Sequence, residues 1–459
     1  MNPPSRFLPL LLALGVFMQM LDATVLNTAL PAIAADLQES PLNMQSVVIA
    51  YALTLALMTP LSGVLADRFG TRRLYIAALA VFVAGSALCA AASQLNMLVL
   101  ARVIQGMGGA MLTPVARLIT LRAYARSDLV RVTNYIVMPA LLGPVLGPVL
   151  GGYLVDYASW HWIFLINIPI GLIGIWGARR LLPDLRQRGT PFDLSGFLLF
   201  GGGALGLSMA FEWVLYPHAR LFSVLVGAGG VLLLWGYWHH ARHSRDPLYA
   251  PDLLSVRTFR IGLAGGLASR LGMSALPFLL PLLLQVAFGY SATRAGWLLA
   301  PVALSSIAVK PLLPRLIRRF GYRCLLVNNT RCVGLLIMSL ALLQADTPLW
   351  LLVLLMLLLG MVNSIQFSGM NTLTVADLRS RQASSGSSLM GVNQQLAISL
   401  GIAVSALLLQ GFSQAAWAGG DVRYAFAATF VAVGLFTLAS AQIFARLHRL
   451  DGNSLIERK

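Results

Sequence analysis

The sequence predicts an all-α integral membrane protein with fourteen transmembrane helices, grouped as two six-helix bundles with a two-helix insert between them. Three observations carry this reading. Of 459 residues, 58% are hydrophobic and only 11% are charged, whereas a soluble domain runs at about 25% charged. Apolar runs of about 20 residues, the length needed to cross a bilayer, recur along the whole chain. The basic residues also segregate by loop. With the first residues placed inside, 26 of the 33 Lys and Arg fall in cytoplasmic segments. Three (Arg220, Arg294, Arg423) lie in external loops or at the outer span ends that border them, and four (Arg102, Arg270, Lys310, Arg331) well within spans. This bias puts both termini in the cytoplasm and calls for an even number of spans. It also accounts for the net charge of +17 without a nucleic-acid partner.

The spans fall near residues 8–30, 46–66, 73–92, 96–118, 133–155, 161–178, 193–211, 220–238, 258–284, 294–314, 323–344, 348–374, 384–410 and 422–445. The first, with Arg6 before it and Ala32-Ile33-Ala34 after it, has features of a cleaved leader. Its apolar run is long for one, and thirteen further spans follow, so it reads as a retained helix. The second ends at the loop DRFGTRR, residues 67–73. In the fifth, Gly143, Gly147 and Gly151 recur every four residues and share a face, while Pro144 and Pro148 remove backbone donors and favour a bend. A smooth, bent helix of this kind can slide against the opposite bundle.

The connections 179–192 and 239–257, rich in Arg or His, bracket the seventh and eighth spans, which carry few polar residues. The chain therefore divides as 1–182, a two-span insert at 183–250, and 251–459. The loop after the tenth span, RRFGYRC at 318–324, echoes DRFGTRR at an offset of 251 residues. Repeated six-helix halves are what many secondary transporters use, with substrate bound near the midplane. The eleventh span carries Asn328, Asn329, Thr330 and Arg331 in a row.

Few residues suggest chemistry. Cys89, Cys324 and Cys332 form neither a disulfide framework nor a spaced set of metal ligands. No GxxxxGK[ST] pattern is present, which argues against ATP hydrolysis through a P-loop. His239, His240 and His243 cluster in a cytoplasmic loop and read as solvated. Asp22 is the one carboxylate far inside a span, with Glu212 near the outer end of the seventh. A charge at that depth is expensive unless it meets a partner or a cavity. Asp22 lies about 12 Å, and Arg102 about 9 Å, from the outer ends of spans one and four at 1.5 Å per residue. The two can therefore meet.

The segment GVLADRFGTRR, residues 63–73, resembles the loop signature of the major facilitator superfamily through Gly63, Asp67, Arg68, Gly70, Arg72 and Arg73. In that reading Gly63 permits close helix packing, Gly70 permits a tight turn, and Asp67 pairs with an Arg or caps a helix as a conformational latch. LVLARVIQGMGGAMLTP at 98–114 is similar to the fourth-span signature, built around Arg102, Gln105 and Gly106. GPVLGPVLGG, with Gly143, Gly147, Pro148, Gly151 and Gly152, is similar to the fifth-span signature of antiporters. LDATVLNTALPAIA at 21–34 and WHWIFLINIPIG at 160–171 resemble the fourteen-span drug:proton antiporter branch. FDLSGFLLF at 192–200 and NTLTVADL at 371–378 narrow this to its HsrA- and MdtD-type bacterial members. The departures are His161 where Arg is usual, and Pro314 and Arg318 in place of Gly and Asp in the second loop copy. Any latch in the C-terminal half should therefore be weaker.

The resemblance implies a transporter rather than an enzyme. It would export small organic solutes or drugs across the bacterial inner membrane in exchange for protons. The proton gradient would be its energy source, with no bound cofactor and no metal. Its partners would be a small-molecule substrate, protons and the lipid bilayer, and it would act as a monomer. Asp22 and Arg102 would couple protons, because burial favours the neutral acid while a nearby guanidinium favours the carboxylate. Met18, Gln105, Arg270, Asn363, Gln366 and Asn371 are candidates for the substrate cavity; core packing accounts equally for Met18, and interhelical hydrogen bonds for the amides. A proton-coupled importer or uniporter of an organic anion is the alternative within transport. A membrane sensor is the alternative outside it, although no loop exceeds about 20 residues.

Overall fold

The computed structural model describes residues 7–125, 128–186, 192–214, 219–379, 382–415, 421–448 and 451–452. Among them the chain is helical and contains no strand. Thirteen helical segments are long and apolar enough to cross a membrane. One of these, Ala292–Leu342, has 51 residues, or about 76 Å at 1.5 Å per residue, against a hydrocarbon core of about 30 Å. It bends at Gly321, whose φ is 69°. It therefore provides two crossings, and the total is fourteen.

The first compact unit comprises Met1–Pro191 and Leu284–Ala300. Its helices are α1 (Leu8–Asp36), α2 (Gln45–Met58), α3 (Leu61–Phe69), α4 (Thr71–Ala90), α5 (Leu95–Ala123), α6 (Leu129–Ala140), α7 (Leu142–Tyr157), α8 (Trp162–Leu165) and α9 (Asn167–Leu181). Three expected spans are broken. The second divides into α2 and α3 beside Pro60, and the fifth into α6 and α7 at Leu141, between Pro139 and Pro144. In the sixth, Pro169 cannot donate to the carbonyl four residues back, and the helix is interrupted at Ile166. The next residue, Asn167, opens α9. A core of Leu12, Tyr75, Phe82, Leu112 and Ile119 joins α1, α4 and α5.

The second unit comprises Phe192–Leu283 and Pro301–Lys459. It contains α10 (Leu194–Trp213), α11 (Arg220–His243), α12 (Arg257–Leu282), α14 (Leu313–Ser339), α15 (Leu349–Val375), α16 (Ala383–Ser413) and α17 (Val422–Ala445), while α13 (Ala292–Ala308) is divided between the units. α10 and α11 pack chiefly on each other, and α10 also touches α16. Asp193 ties this pair together at one end. It accepts hydrogen bonds from Gly196 N (2.8 Å) and Leu248 N (3.0 Å) and lies 2.7 Å from His240 Nε2.

The internal echo extends to the backbone. Gly70 has φ 90° and ψ 147°, and Gly321, 251 residues on, has φ 69° and ψ 161°. Each lets the chain turn between two helical stretches in a conformation that L side chains avoid.

Candidate functional site

The site grows from α1, most of which is enclosed. Asp22 sits on it with its side chain 0% exposed. Arg102 and Gln105 are three residues apart on α5 and so share a helix face. Arg102 Nη1 donates to Asp22 Oδ2 at 2.7 Å. Gln105 Nε2 donates to the other oxygen, Oδ1, at 2.8 Å, and Asn167 Nδ2 donates to the same atom at 3.0 Å. The interruption before α9 brings that amide to the carboxylate. Gln105 also accepts from Arg102 Nη1 (2.6 Å), donates to Ser86 Oγ on α4 (2.8 Å) and accepts a weak bond from Cys89 Sγ (3.6 Å). The Arg102 guanidinium lies 4.0 Å from the ring centroid of Tyr51 and 5.9 Å from that of Phe164.

One carboxylate and one guanidinium thus balance inside an apolar unit, cross-linked by an amide that reads both. A buried pair of this kind is costly to break, because the survivor is an unpaired charge. Protonating Asp22 would leave the Arg102 charge unbalanced and favour a different arrangement. Three polar atoms at the site stay without a partner among the described residues: Arg102 Nε, Asn167 Oδ1 and Tyr51 Oη.

The loop residues are placed as follows. Asp67 Oδ1 accepts from Arg122 Nη2 at 2.6 Å, joining the end of α3 to the last turn of α5. Arg68 stacks on Phe69, and Arg72 and Arg73 open α4 after Gly70. Gly63 departs from expectation. Nothing lies within 4 Å of where its Cβ would be, so it permits no close packing; the residue faces outwards on α3. In the second copy, Arg318 Nε donates to Pro314 O (3.3 Å) and no acid stands at the position of Asp67.

The glycine face of α7 differs in its partner. A Cβ at Gly143, Gly147 or Gly151 would strike Met20 and Leu21, Thr24, or Val25 and Thr28 in turn, all on α1. That face therefore packs within its own unit rather than sliding on the opposite bundle. Gly152 abuts Ala292, and Gly296 abuts Pro148, in the Leu284–Ala300 segment of the same unit.

The cavity candidates separate. Met18 is 0% exposed and belongs to the core of the first unit. Gln105 joins Asp22. In the second unit Arg270, 5% exposed, donates through Nη2 to Asn371 Oδ1 at 2.6 Å and rests 4.7 Å from the Phe367 centroid. Gln366 turns to α14 instead, accepting from Asn329 (2.9 Å) and donating to Thr330 (2.7 Å). Asn363 is half-buried, and the side chain of Glu212 lies outside the described residues. Ser86, Tyr51 and Arg122 join these contacts without a distinguishing signal in the sequence. Asn167 falls within the WHWIFLINIPIG segment, two residues before Pro169, but nothing there assigns it to Asp22.

Comparison with known proteins accords with the fold. The Major Facilitator Superfamily model matches residues 12–402. MdtD of Pectobacterium carotovorum subsp. carotovorum, named for multidrug resistance, is 41% identical over 442 residues, covering 95% of this chain and 94% of that protein. HsrA of Haemophilus influenzae, named as a transport protein, is 41% identical over 446 residues, covering 96% of each. Among solved structures, a D-xylose-proton symporter superposes with a TM-score of 0.69 at 13% identity, covering 97% of this chain and 98% of that one. An auto-inhibited POT family peptide transporter gives 0.68 at 14%, covering 98% of each. At such identities the likeness speaks to the fold alone. With the family model and relatives of 41% identity both spanning most of the chain, this multi-pass membrane transporter belongs to the major facilitator superfamily.

Proposed function

We propose that the chain is a bacterial inner-membrane antiporter that exports small organic solutes or drugs in exchange for protons by alternating access. The observation that carries this is the enclosed Asp22, held at both oxygens by Arg102, Gln105 and Asn167. Proton arrival at Asp22 releases Arg102 from its counter-charge, and proton departure restores the pair. Each protonation state thereby favours its own arrangement, which is the differential interaction that coupling needs. Gln105 links the two partners and positions both. The Asp67–Arg122 pair acts as the latch of the first loop. The chain works as a monomer with both termini in the cytoplasm, organised as 1–182, 183–250 and 251–459, and it needs only the proton gradient.

Uptake into inverted vesicles under an imposed pH gradient tests this. Asp22→Asn should abolish gradient-driven flux while the protein remains folded and inserted. Unchanged flux in that variant removes Asp22 from the mechanism.

Arg270 favours a second reading, an importer or uniporter of an organic anion. It is a buried guanidinium that donates to an amide and rests against an aromatic ring, with Nε unpartnered among the described residues. Flux that is indifferent to the pH gradient, or that runs with the proton, favours this reading over the first.

A further inference from the structure

The exposed face of α14 carries an unusual set of residues. Beyond Gly321, Arg323, Cys324, Asn328 and Arg331 are all exposed, and Leu335 continues the row one turn further on. Arg331 is ten residues past the bend, about 15 Å along the axis, or half the thickness of a hydrocarbon core of about 30 Å. A membrane helix rarely turns an arginine outwards at that depth.

These residues are gathered in a concavity. A groove of about 570 Å³, lined by Phe320, Arg323, Val327, Asn328 and Arg331 of α14, is closed on one side by Ala445 at the end of α17. Neither Arg323 nor Arg331 has an ion pair among the described residues. No acid is near in sequence, since no Asp or Glu occurs between Asp252 and Asp346. Among the described residues, the Asn328 side chain makes a 3.3 Å contact to Cys324 Sγ and no other hydrogen bond.

We propose that this groove binds the phosphodiester headgroup of an anionic phospholipid, held by Arg323 and Arg331. Helical side chains lean towards the N-terminus of their helix. The Arg331 guanidinium therefore reaches back towards Asn328 and Arg323, on the side of the basic cluster Arg315, Arg318 and Arg319. Two guanidinium forks facing one groove fit a phosphate better than a point charge would. The exposed Leu335, one turn beyond Arg331, offers the acyl chains an apolar contact, while Phe320 lines the groove itself. Charge complementarity selects this occupant. A second copy of the chain would bring another pair of arginines, and a neutral lipid would leave both charges unbalanced.

The test uses the full chain, purified in detergent and stripped of lipid. It is titrated with phosphatidylglycerol or phosphatidylcholine of the same acyl chains and read by native mass spectrometry. Wild type should retain phosphatidylglycerol at least tenfold better. Arg323→Gln and Arg331→Leu should each lower that retention at least fivefold, Arg331→Lys should fall between, and Arg315→Gln, outside the groove, should change nothing. If Arg331→Leu does not fold, Arg323→Gln and Arg331→Lys carry the test. Equal retention of the two lipids, or unchanged phosphatidylglycerol binding in a variant carrying both Arg323→Gln and Arg331→Leu, overturns the proposal. So does displacement of the lipid by inorganic phosphate at equal concentration. A double variant that alters only the dimer population also overturns it, by assigning the face to a second copy.

Discussion

At the scale of single residues, the two arginines buried among the described residues differ in how they are neutralised. Arg102 faces Asp22, whereas Arg270 has Asn371 and the Phe367 ring. A fixed positive charge in a weakly screened interior repels cations and attracts anions. Neutral or anionic organic compounds should therefore compete better than matched quaternary ammonium analogues against one labelled substrate, and Arg270→Gln should erase most of that preference. Stronger competition by the cationic series in wild type would count against the idea. The meeting of Asp22 and Arg102 was legible because charges in apolar runs are rare and their depths can be counted from the span ends. Asn167, Ser86 and Tyr51 were not, because a neutral polar side chain sits in a span at little cost and carries no depth signal. The partner of Gln366 was equally hidden, since helical periodicity gives a face but not the neighbour beyond it.

At the scale of elements, the glycines of α7 and α3 invite opposite outcomes. A side chain at Gly151 meets Val25 O and Thr28 on α1, and overpacking of this kind costs about 1–3 kcal/mol. At Gly63 there is open space, and replacing an exposed helical glycine with alanine gains up to about 1 kcal/mol. Gly151→Val should lower the melting temperature and stop flux, while Gly63→Ala should leave flux unchanged and stability equal or higher; thermal unfolding and vesicle uptake read both. The sequence marked both as glycines of a motif, but spacing does not say which face a helix turns to its neighbour. The two loop copies divide in another way. Their backbones match at Gly70 and Gly321, yet only the first has an acid, Asp67, paired with Arg122. Asp67→Asn should slow transport strongly with little change in substrate affinity, and Arg318→Ala should be much milder. Equal damage from the two would remove the asymmetry.

At the scale of the whole molecule, run length and charge placement made the fold legible. Fourteen crossings follow from thirteen apolar segments, one of them bent at Gly321. The helix interruptions at Pro60, Leu141 and Ile166 were less legible, because a proline marks a lost hydrogen bond without fixing how the chain accommodates it. Orientation rests on the segregation of Lys and Arg, and it can be checked directly. In a cysteine-free background, Asp346→Cys should react with a membrane-impermeant maleimide added to intact cells, and Asp252→Cys only after permeabilisation. The reverse pattern would invert the topology.

The enclosure of Asp22 has a kinetic consequence. Both of its oxygens are occupied by donors, and its side chain has no accessible surface. With no accessible surface it offers bulk solvent no direct route, so in the proposed cycle proton exchange would be clocked by the opening of α1, α5 and α9 rather than by diffusion. If the chain is the antiporter proposed above, an acid gated in this way would resist leak: protons would not slip through uncoupled to cargo, and a carrier at rest would not drain the gradient.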